Sequence, residues 1–134
     1  MHHAPSLRVL VAEDSAIVRN QLETLFNTIS GVELVGLVED GETAMSAITE
    51  SGPDIVVLDF RMPGKTGLEV LRAVRESYPG TVIMLTNFAD PFTRRLCLEA
   101  GADHFFDKST EFREMLRVVR CLRDQDRPGA SDPA

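Results

Sequence analysis

Continuous apolar runs of a few residues alternate five times with amphipathic stretches, and this alternation limits the fold more than any other feature of the chain. Residues 55–58 (IVVL) and 82–85 (VIML) are apolar at every successive position, so both faces of such strands must be covered. Between the runs, apolar residues return at helical spacing, for example Val18, Leu22 and Leu25. Parallel strands with helices on both sides of one sheet satisfy both patterns.

Five such strand-helix units predict a flavodoxin-like α/β fold: a three-layer α/β/α domain with five helices and a five-stranded parallel sheet of order 2-1-3-4-5. The length of 134 residues fits one domain. We predict a disordered N-terminus at residues 1–6, the domain at 7–124 and a disordered tail or linker at 125–134. The predicted strands are residues 7–12, 32–38, 54–60, 81–87 and 103–106. Glycines predicted to end helices in the left-handed conformation are Gly31, Gly52, Gly80 and Gly101.

Charge and hydropathy narrow the classes of function. The net charge of −7 argues against nucleic-acid binding, which needs clustered positive charge. No apolar stretch approaches the ~20 residues that span a bilayer, and because residues 1–8 (MHHAPSLR) lack a hydrophobic region of their own, we expect no signal peptide. We therefore predict a cytoplasmic protein that contacts neither membrane nor nucleic acid. Cys97 and Cys121 lack a CxxC or histidine spacing, which favours buried helical thiols over a disulfide or a metal site.

Three carboxylates follow strands that the predicted topology brings together. Glu13 and Asp14 come directly after the first strand, and Asp59 closes the third. Ligands of such sheets bind at the carboxyl ends of the strands, where strands one and three adjoin. Mutually repelling acids call for a cation, and oxygen ligands in a partly open site suit Mg2+, or Mn2+. Helix capping by Asp14 or Ser15 is an alternative for a single residue, but three converging acids favour a metal site.

A hydroxyl and a cation are predicted at the same edge of the sheet. Thr86 ends the fourth strand, and Lys108 follows the fifth. Either residue has an ordinary explanation, because threonine is common in strands and lysine on surfaces. Together with a metal they supply the neutralising charge and hydrogen-bond donors that an aspartyl phosphate needs. Asp59 is then the candidate covalent acceptor.

Four segments together resemble the receiver domain of two-component response regulators: VLVAEDSAIVRNQL, PDIVVLDFRMPGKTGLEVL, VIMLT and AGADHFFDKS. The resemblance covers residues 7–123. It implies that Asp59 accepts a phosphoryl group from a sensor histidine kinase or a phosphotransfer protein. It further implies that Asp14 and Asp59 bind the metal directly, that Glu13 acts largely through water, and that the backbone carbonyl of Arg61 completes the protein ligands. The chain would catalyse only its own phosphorylation and dephosphorylation.

The same resemblance implies a conformational switch. Thr86 and Lys108 match the family's phosphate-contacting pair, and Phe105 matches its aromatic switch position. Movement of Thr86 toward the phosphate would let Phe105 turn inward and reshape the face formed by helix four, strand five and helix five. That face would control an effector domain, a partner protein or a second copy in a homodimer. The chain departs from the family at Ser109, where a cis proline usually follows the lysine.

The leading alternative is a receiver-like interaction module that is not phosphorylated. Such a module predicts missing site residues, yet all five site side chains described above are present. A flavin-binding flavodoxin needs a phosphate-cradling loop after strand one, where this chain has two acids. A haloacid-dehalogenase-like phosphatase places its nucleophile after the first strand. A P-loop at residues 64–66 (GKT) lacks the required glycine, because Asp59 stands five residues before Gly64.

Overall fold

The computed structural model describes residues 6–126, which form five parallel strands and five helices around one sheet. The strand order is β2-β1-β3-β4-β5, which confirms the predicted flavodoxin-like topology. The strands are β1 (Leu7–Ala12), β2 (Val32–Val38), β3 (Ile55–Leu58), β4 (Thr81–Thr86) and β5 (His104–Asp107). The helices are α1 (Ala16–Asn27), α2 (Gly41–Ser51), α3 (Gly67–Val74), α4 (Pro91–Glu99) and α5 (Phe112–Asp126).

The predicted disordered termini fall mostly on residues 1–5 and 127–134, which lie outside the described residues. Helix α5 includes residues 125 and 126, where we predicted the start of the tail. Within residues 6–126, none of the helices has the length and apolar character required to cross a bilayer.

Both faces of the sheet are buried, and the two-residue period of the strands divides the core into two layers. On one face, Leu10 and Met84 pack with the apolar sides of α2, α3 and α4. On the other, Val11 and Leu85 pack with α1 and α5. Every residue of β3 is buried, which explains why the central strands are apolar at successive positions.

Four helices begin at a polar side chain that accepts a hydrogen bond from a backbone N–H of the first turn. These N-cap residues are Ser15, Asp40, Thr66 and Asp90. Such caps satisfy donors that have no partner within the helix. Because Ser15 caps α1, the carboxylates of Glu13 and Asp14 are not needed for this purpose.

Strands β3, β4 and β5 differ from their predicted bounds by one or two residues. β3 ends at Leu58 rather than at Phe60, since the Phe60 carbonyl accepts from the N–H of Gly67 at the start of α3 (2.8 Å). β4 ends one residue early, at Thr86. β5 runs from His104 to Asp107 rather than from residue 103 to 106, and the carboxylate of Asp103, just before it, accepts from the N–H of Val82 (2.8 Å).

Two predictions for single residues are wrong. Gly80 is not in the left-handed conformation; its missing side chain is explained by packing, because a Cβ there would overlap the Tyr78 hydroxyl. Cys121 is exposed, since it lies on the outward side of α5, whereas Cys97 is buried as expected. The other three predicted cap glycines have positive φ angles: Gly31, Gly52 and Gly101.

Tyr78 makes the stability of the fold sensitive to alkaline pH. Its hydroxyl donates to the buried carbonyl of Pro53 (2.6 Å), and burial, with the nearby charge of Asp54, raises the pKa of Tyr78 well above its usual value near 10. Above pH 10 the unfolded chain loses this proton while the folded protein keeps it. We therefore expect the contribution of Tyr78 to the free energy of unfolding to fall by at most about 1.4 kcal/mol per pH unit above 10.

Phenolate absorbance can follow this residue alone, because the chain contains one tyrosine and no tryptophan. The phenolate signal should appear together with unfolding, and Tyr78→Phe should flatten the alkaline dependence relative to the variant's own stability at neutral pH. A phenolate that forms near pH 10 in the folded protein would contradict the prediction.

Candidate functional site

The carboxyl ends of β1 and β3 bring three acids together. Ala12 and Leu58 are register partners at the ends of these strands, and the acids follow directly in both loops. One carboxylate oxygen from each of Glu13, Asp14 and Asp59 lies within 4.8 Å of the others. Glu13 and Asp59 are only 2% and 5% exposed, whereas Asp14 is exposed. The cluster is therefore buried on one side and open on the other.

Lys108 bridges the two buried acids. Its Nζ donates to Glu13 Oε1 (2.7 Å) and to Asp59 Oδ2 (2.9 Å). The side chain is only 10% exposed, and the backbone N–H of Lys108 donates to the carbonyl of Thr86 (2.9 Å). The loop after β5 is thus anchored on the end of β4, which directs the ammonium across the sheet edge toward the acids.

Glu13 and Asp59 share the one ammonium of Lys108. When all three groups are ionised, they therefore carry a net negative charge. Burial raises the pKa of Glu13, the hydrogen bond from Lys108 opposes that shift, and the charge of Asp59 adds to it. Burial disfavours the charged form of Lys108, but its bonds to Glu13 and Asp59 outweigh burial and raise the pKa of the ammonium. Lys108 therefore stays protonated, and the excess negative charge contributes to the raised pKa of Glu13.

The donor set of this cluster fits a hard divalent cation. Its three acids offer only oxygen atoms, the ligands that Mg2+ and Mn2+ prefer. The exposed side at Asp14 leaves room for the waters or substrate oxygens that Mg2+ usually keeps. The N–H of Arg61 lies 3.4 Å from Asp59 Oδ1, and metal binding by the Arg61 carbonyl stays a prediction.

Thr86 lies at the end of β4 with its side chain fully buried. Its Oγ1 accepts a hydrogen bond from the N–H of Phe88 (3.1 Å), so the hydroxyl proton can be donated elsewhere. The aromatic ring of Phe88 in turn lies 4.9 Å from the guanidinium carbon of Arg61. The loops after β3 and β4 therefore meet beside Asp59.

Phe105 lies inward, with 5% of its surface exposed. The guanidinium carbon of Arg94, on α4, stands 6.0 Å from the ring centroid. The ring therefore presents almost no apolar surface to solvent before any phosphoryl group is added. The part that Phe105 plays in switching stays a prediction.

Hydrogen bonds to side chains fix the loop after β5, which carries Lys108, at the position where the family usually has a proline. The peptide bond between Lys108 and Ser109 is trans. Asp107 Oδ1 accepts from both the N–H and the hydroxyl of Ser109 (2.8 and 2.7 Å). Glu111 Oε1 accepts from the N–H of Asp107 (2.8 Å). These bonds close the turn that places Lys108, and an Asx-turn of this kind needs no proline.

Arg19 is a site contact that the sequence analysis missed. Its Nη1 donates to the carbonyls of Glu13 (2.8 Å) and Asp14 (3.0 Å). A signal for it exists in the sequence: helical side chains lean toward the N-terminus, and Arg19 lies in the first turn of α1. An arginine at this position can reach back to the loop that precedes the helix.

Comparison with known proteins identifies relatives along most of the chain. A family model described as the response regulator receiver domain matches residues 9–120. The response regulator GacA of Pseudomonas viridiflava is 34% identical over 118 residues, which cover 87% of this chain and 55% of that protein. The protein-glutamate methylesterase/protein-glutamine glutaminase 5 of Myxococcus xanthus is 37% identical over 106 residues, covering 78% of this chain and 30% of that protein. The chain thus spans about half the length of GacA.

Solved structures share the same architecture. The signal receiver domain of the putative response regulator NarL from Mycobacterium tuberculosis superposes with a TM-score of 0.82 at 29% identity, covering 89% of this chain and 97% of that one. A chain of the CheX-CheY-BeF3-Mg2+ complex from Borrelia burgdorferi superposes with a TM-score of 0.79 at 26% identity, covering 88% of this chain and 90% of that one.

Proposed function

The chain belongs to the receiver domain family of two-component response regulators, and we propose that Asp59 accepts a phosphoryl group from a sensor histidine kinase or phosphotransfer protein. The contact of Lys108 with both Glu13 and Asp59 carries this proposal. This contact puts the protonated ammonium of Lys108 beside the buried carboxylate of Asp59, in a cluster that is open to solvent at Asp14. We assign the receiver unit to residues 7–124.

The transfer is a substitution at phosphorus. A carboxylate oxygen of Asp59 forms the new P–O bond while the bond from phosphorus to the donor breaks. The leaving group, an imidazole nitrogen of a phosphohistidine or the acetate of acetyl phosphate, departs with the electron pair, and the nitrogen then takes up a proton. Such a reaction depends on positioning and electrostatics more than on covalent help. Lys108 and Thr86 supply those electrostatics by donating to phosphoryl oxygens.

Glu13, Asp14 and Asp59, together with the carbonyl of Arg61, would hold Mg2+ or Mn2+, which when bound neutralises charge on the phosphoryl group. Their oxygen-only donor set and partly open side support this assignment. Lys108 can then turn from balancing the two buried acids to contacting the phosphoryl oxygens.

The new charge would bias a two-state surface through Thr86. Two loops already contact this residue: Phe88 N–H donates to its hydroxyl, and Lys108 N–H donates to its carbonyl. A shift of Thr86 would therefore reach both loops, and the resemblance to the family adds Phe105 as the residue that responds. The responding face consists of α4, β5 and α5, and it would act on an effector domain, a partner protein or a second copy.

Incubation with acetyl phosphate tests the proposal directly. Intact-protein mass spectrometry should show the addition of one phosphoryl group in the presence of Mg2+ and none with excess chelator, because the acids then lack their cation. Hydroxylamine, which cleaves acyl phosphates, should remove the added mass. No mass gain at saturating Mg2+ would instead favour the alternative, an interaction module that is not phosphorylated.

A further inference from the structure

Arg19 holds the backbone that carries two of the three acids. One guanidinium nitrogen of this half-buried side chain donates to the carbonyls of Glu13 and Asp14. The N–H of Glu13 donates to the carbonyl of Val38 in β2 (2.9 Å), and Ser15 N–H donates to Glu13 Oε2 (3.1 Å). The short loop between β1 and α1 is thus fixed from the sheet, from the helix start and from Arg19.

The conformation of this loop decides whether both carboxylates face Asp59. Asp14 is exposed, so packing constrains its direction little, and the orientation of its carboxylate depends on the backbone that carries it. Arg19 also brings a permanent positive charge to the loop that carries two of the three clustered acids. Residues that do not bind a metal themselves, but hold its ligands in place, strongly affect the affinity for the metal.

We propose that Arg19 is a positioning residue for the divalent cation: it holds the β1–α1 loop so that the carboxylates of Glu13 and Asp14 are prearranged to bind the metal. This inference rests on the proposed function of the same acids. Arg19 takes no part in phosphoryl transfer itself, so it should affect how much metal is needed and not how fast the metal-loaded protein reacts.

Arg8 provides a matched control at the opposite end of β1. Its Nη1 donates to the carbonyls of Ser51 (2.6 Å) and Gly52 (3.2 Å), which is the same chemistry as that of Arg19. The loop that it contacts precedes β3 and lies at the amino ends of the strands, away from the acids. Arg8→Ala therefore removes an equivalent clamp without touching the site.

The test is a titration with MgCl2 followed by amide NMR shifts of the residues after β1 and β3. Arg19→Ala should raise the dissociation constant for Mg2+ about tenfold, while Arg8→Ala leaves it unchanged. Arg19→Lys keeps the charge but replaces the planar donor fork, so its affinity should lie between those of wild type and Arg19→Ala. Thermal unfolding of each variant shows that it is folded before titration.

Phosphorylation by acetyl phosphate gives a second measurement. For Arg19→Ala, the Mg2+ concentration at half-maximal rate should rise by the same factor as the dissociation constant, and the rate at saturating Mg2+ should match wild type. The inference is overturned if Arg19→Ala affects Mg2+ affinity no more than Arg8→Ala, or if only the saturated rate falls. A wild-type protein that does not bind Mg2+ would refute the proposed function itself. If Arg19→Ala does not fold, the comparison of Arg19→Lys with Arg8→Lys decides.

Discussion

We expect Asp59→Asn to abolish phosphoryl incorporation from acetyl phosphate, reducing it below the detection limit of intact-protein mass spectrometry. An amide oxygen is a far weaker nucleophile than a carboxylate, and covalent capture at this position requires the carboxylate. The substitution keeps the size of the side chain. It also leaves Lys108 paired with Glu13 alone, so one ammonium balances one buried acid. The variant should therefore fold, and the loss should reflect chemistry.

Asp54→Asn is the matched control, because it changes the same residue type at the other end of β3. Asp54 is exposed, and its carboxylate accepts from the N–H of Arg8 (2.8 Å), far along the strand from the site. This variant should gain the phosphoryl mass as wild type does. A mass gain that survives in Asp59→Asn would mean that another side chain is the acceptor, and fragment masses would then locate it.

The fold could be predicted because burial alone dictates the pattern of β3 and β4. A four-residue strand whose every position is buried has to read as a continuous apolar run, and the alternation with helices then limits the topology. The exact strand ends could not be predicted. They depend on loop bonds between distant residues, such as Phe60 with Gly67 and Asp103 with Val82, which leave no periodic signal.

A site residue could be placed from the sequence where the strand topology fixes its position. It could not be placed where its position depends on the conformation of a side chain or a turn. Parallel strands present their carboxyl ends at one edge, so Asp59 had to lie near the acids after β1. The bridging geometry of Lys108 depends on a turn built from Asp107 and Ser109. The inward ring of Phe105 likewise depends on packing in the finished fold. Neither can be read from local sequence.

Lys108→Met should produce the largest combined effect on activity and stability. Removal of a preorganised donor aimed at developing charge typically slows a transfer about 100- to 1000-fold, and we expect a loss of that order in the phosphorylation rate. Methionine retains an unbranched apolar stem but not the ammonium. Glu13 and Asp59 then face each other while buried and without a cation, and breaking a buried ion pair in this way costs about 3–5 kcal/mol.

The stability loss should depend on pH in a direction that can be worked out. The pKa of Glu13 is already raised by burial, and it rises further when the hydrogen bond from Lys108 is lost. The folded variant then binds a proton that the unfolded chain releases near the usual value of 4.5. Its free energy of unfolding should therefore fall as pH increases from about 4.5 through the raised pKa, and urea unfolding at several pH values measures this.

Lys65→Met is the control, because Lys65 and Lys108 are the only two lysines of the sequence. Lys65 is partly exposed and its Nζ lies 3.7 Å from the more exposed carboxylate of Glu42, so its removal should cost at most about 1 kcal/mol and leave phosphorylation intact. Addition of Mg2+ to Lys108→Met separates two roles of the ammonium. Restored stability with a slow transfer rate would show that Lys108 acts on the phosphoryl group; recovery of both would reduce it to a counterion for Glu13 and Asp59.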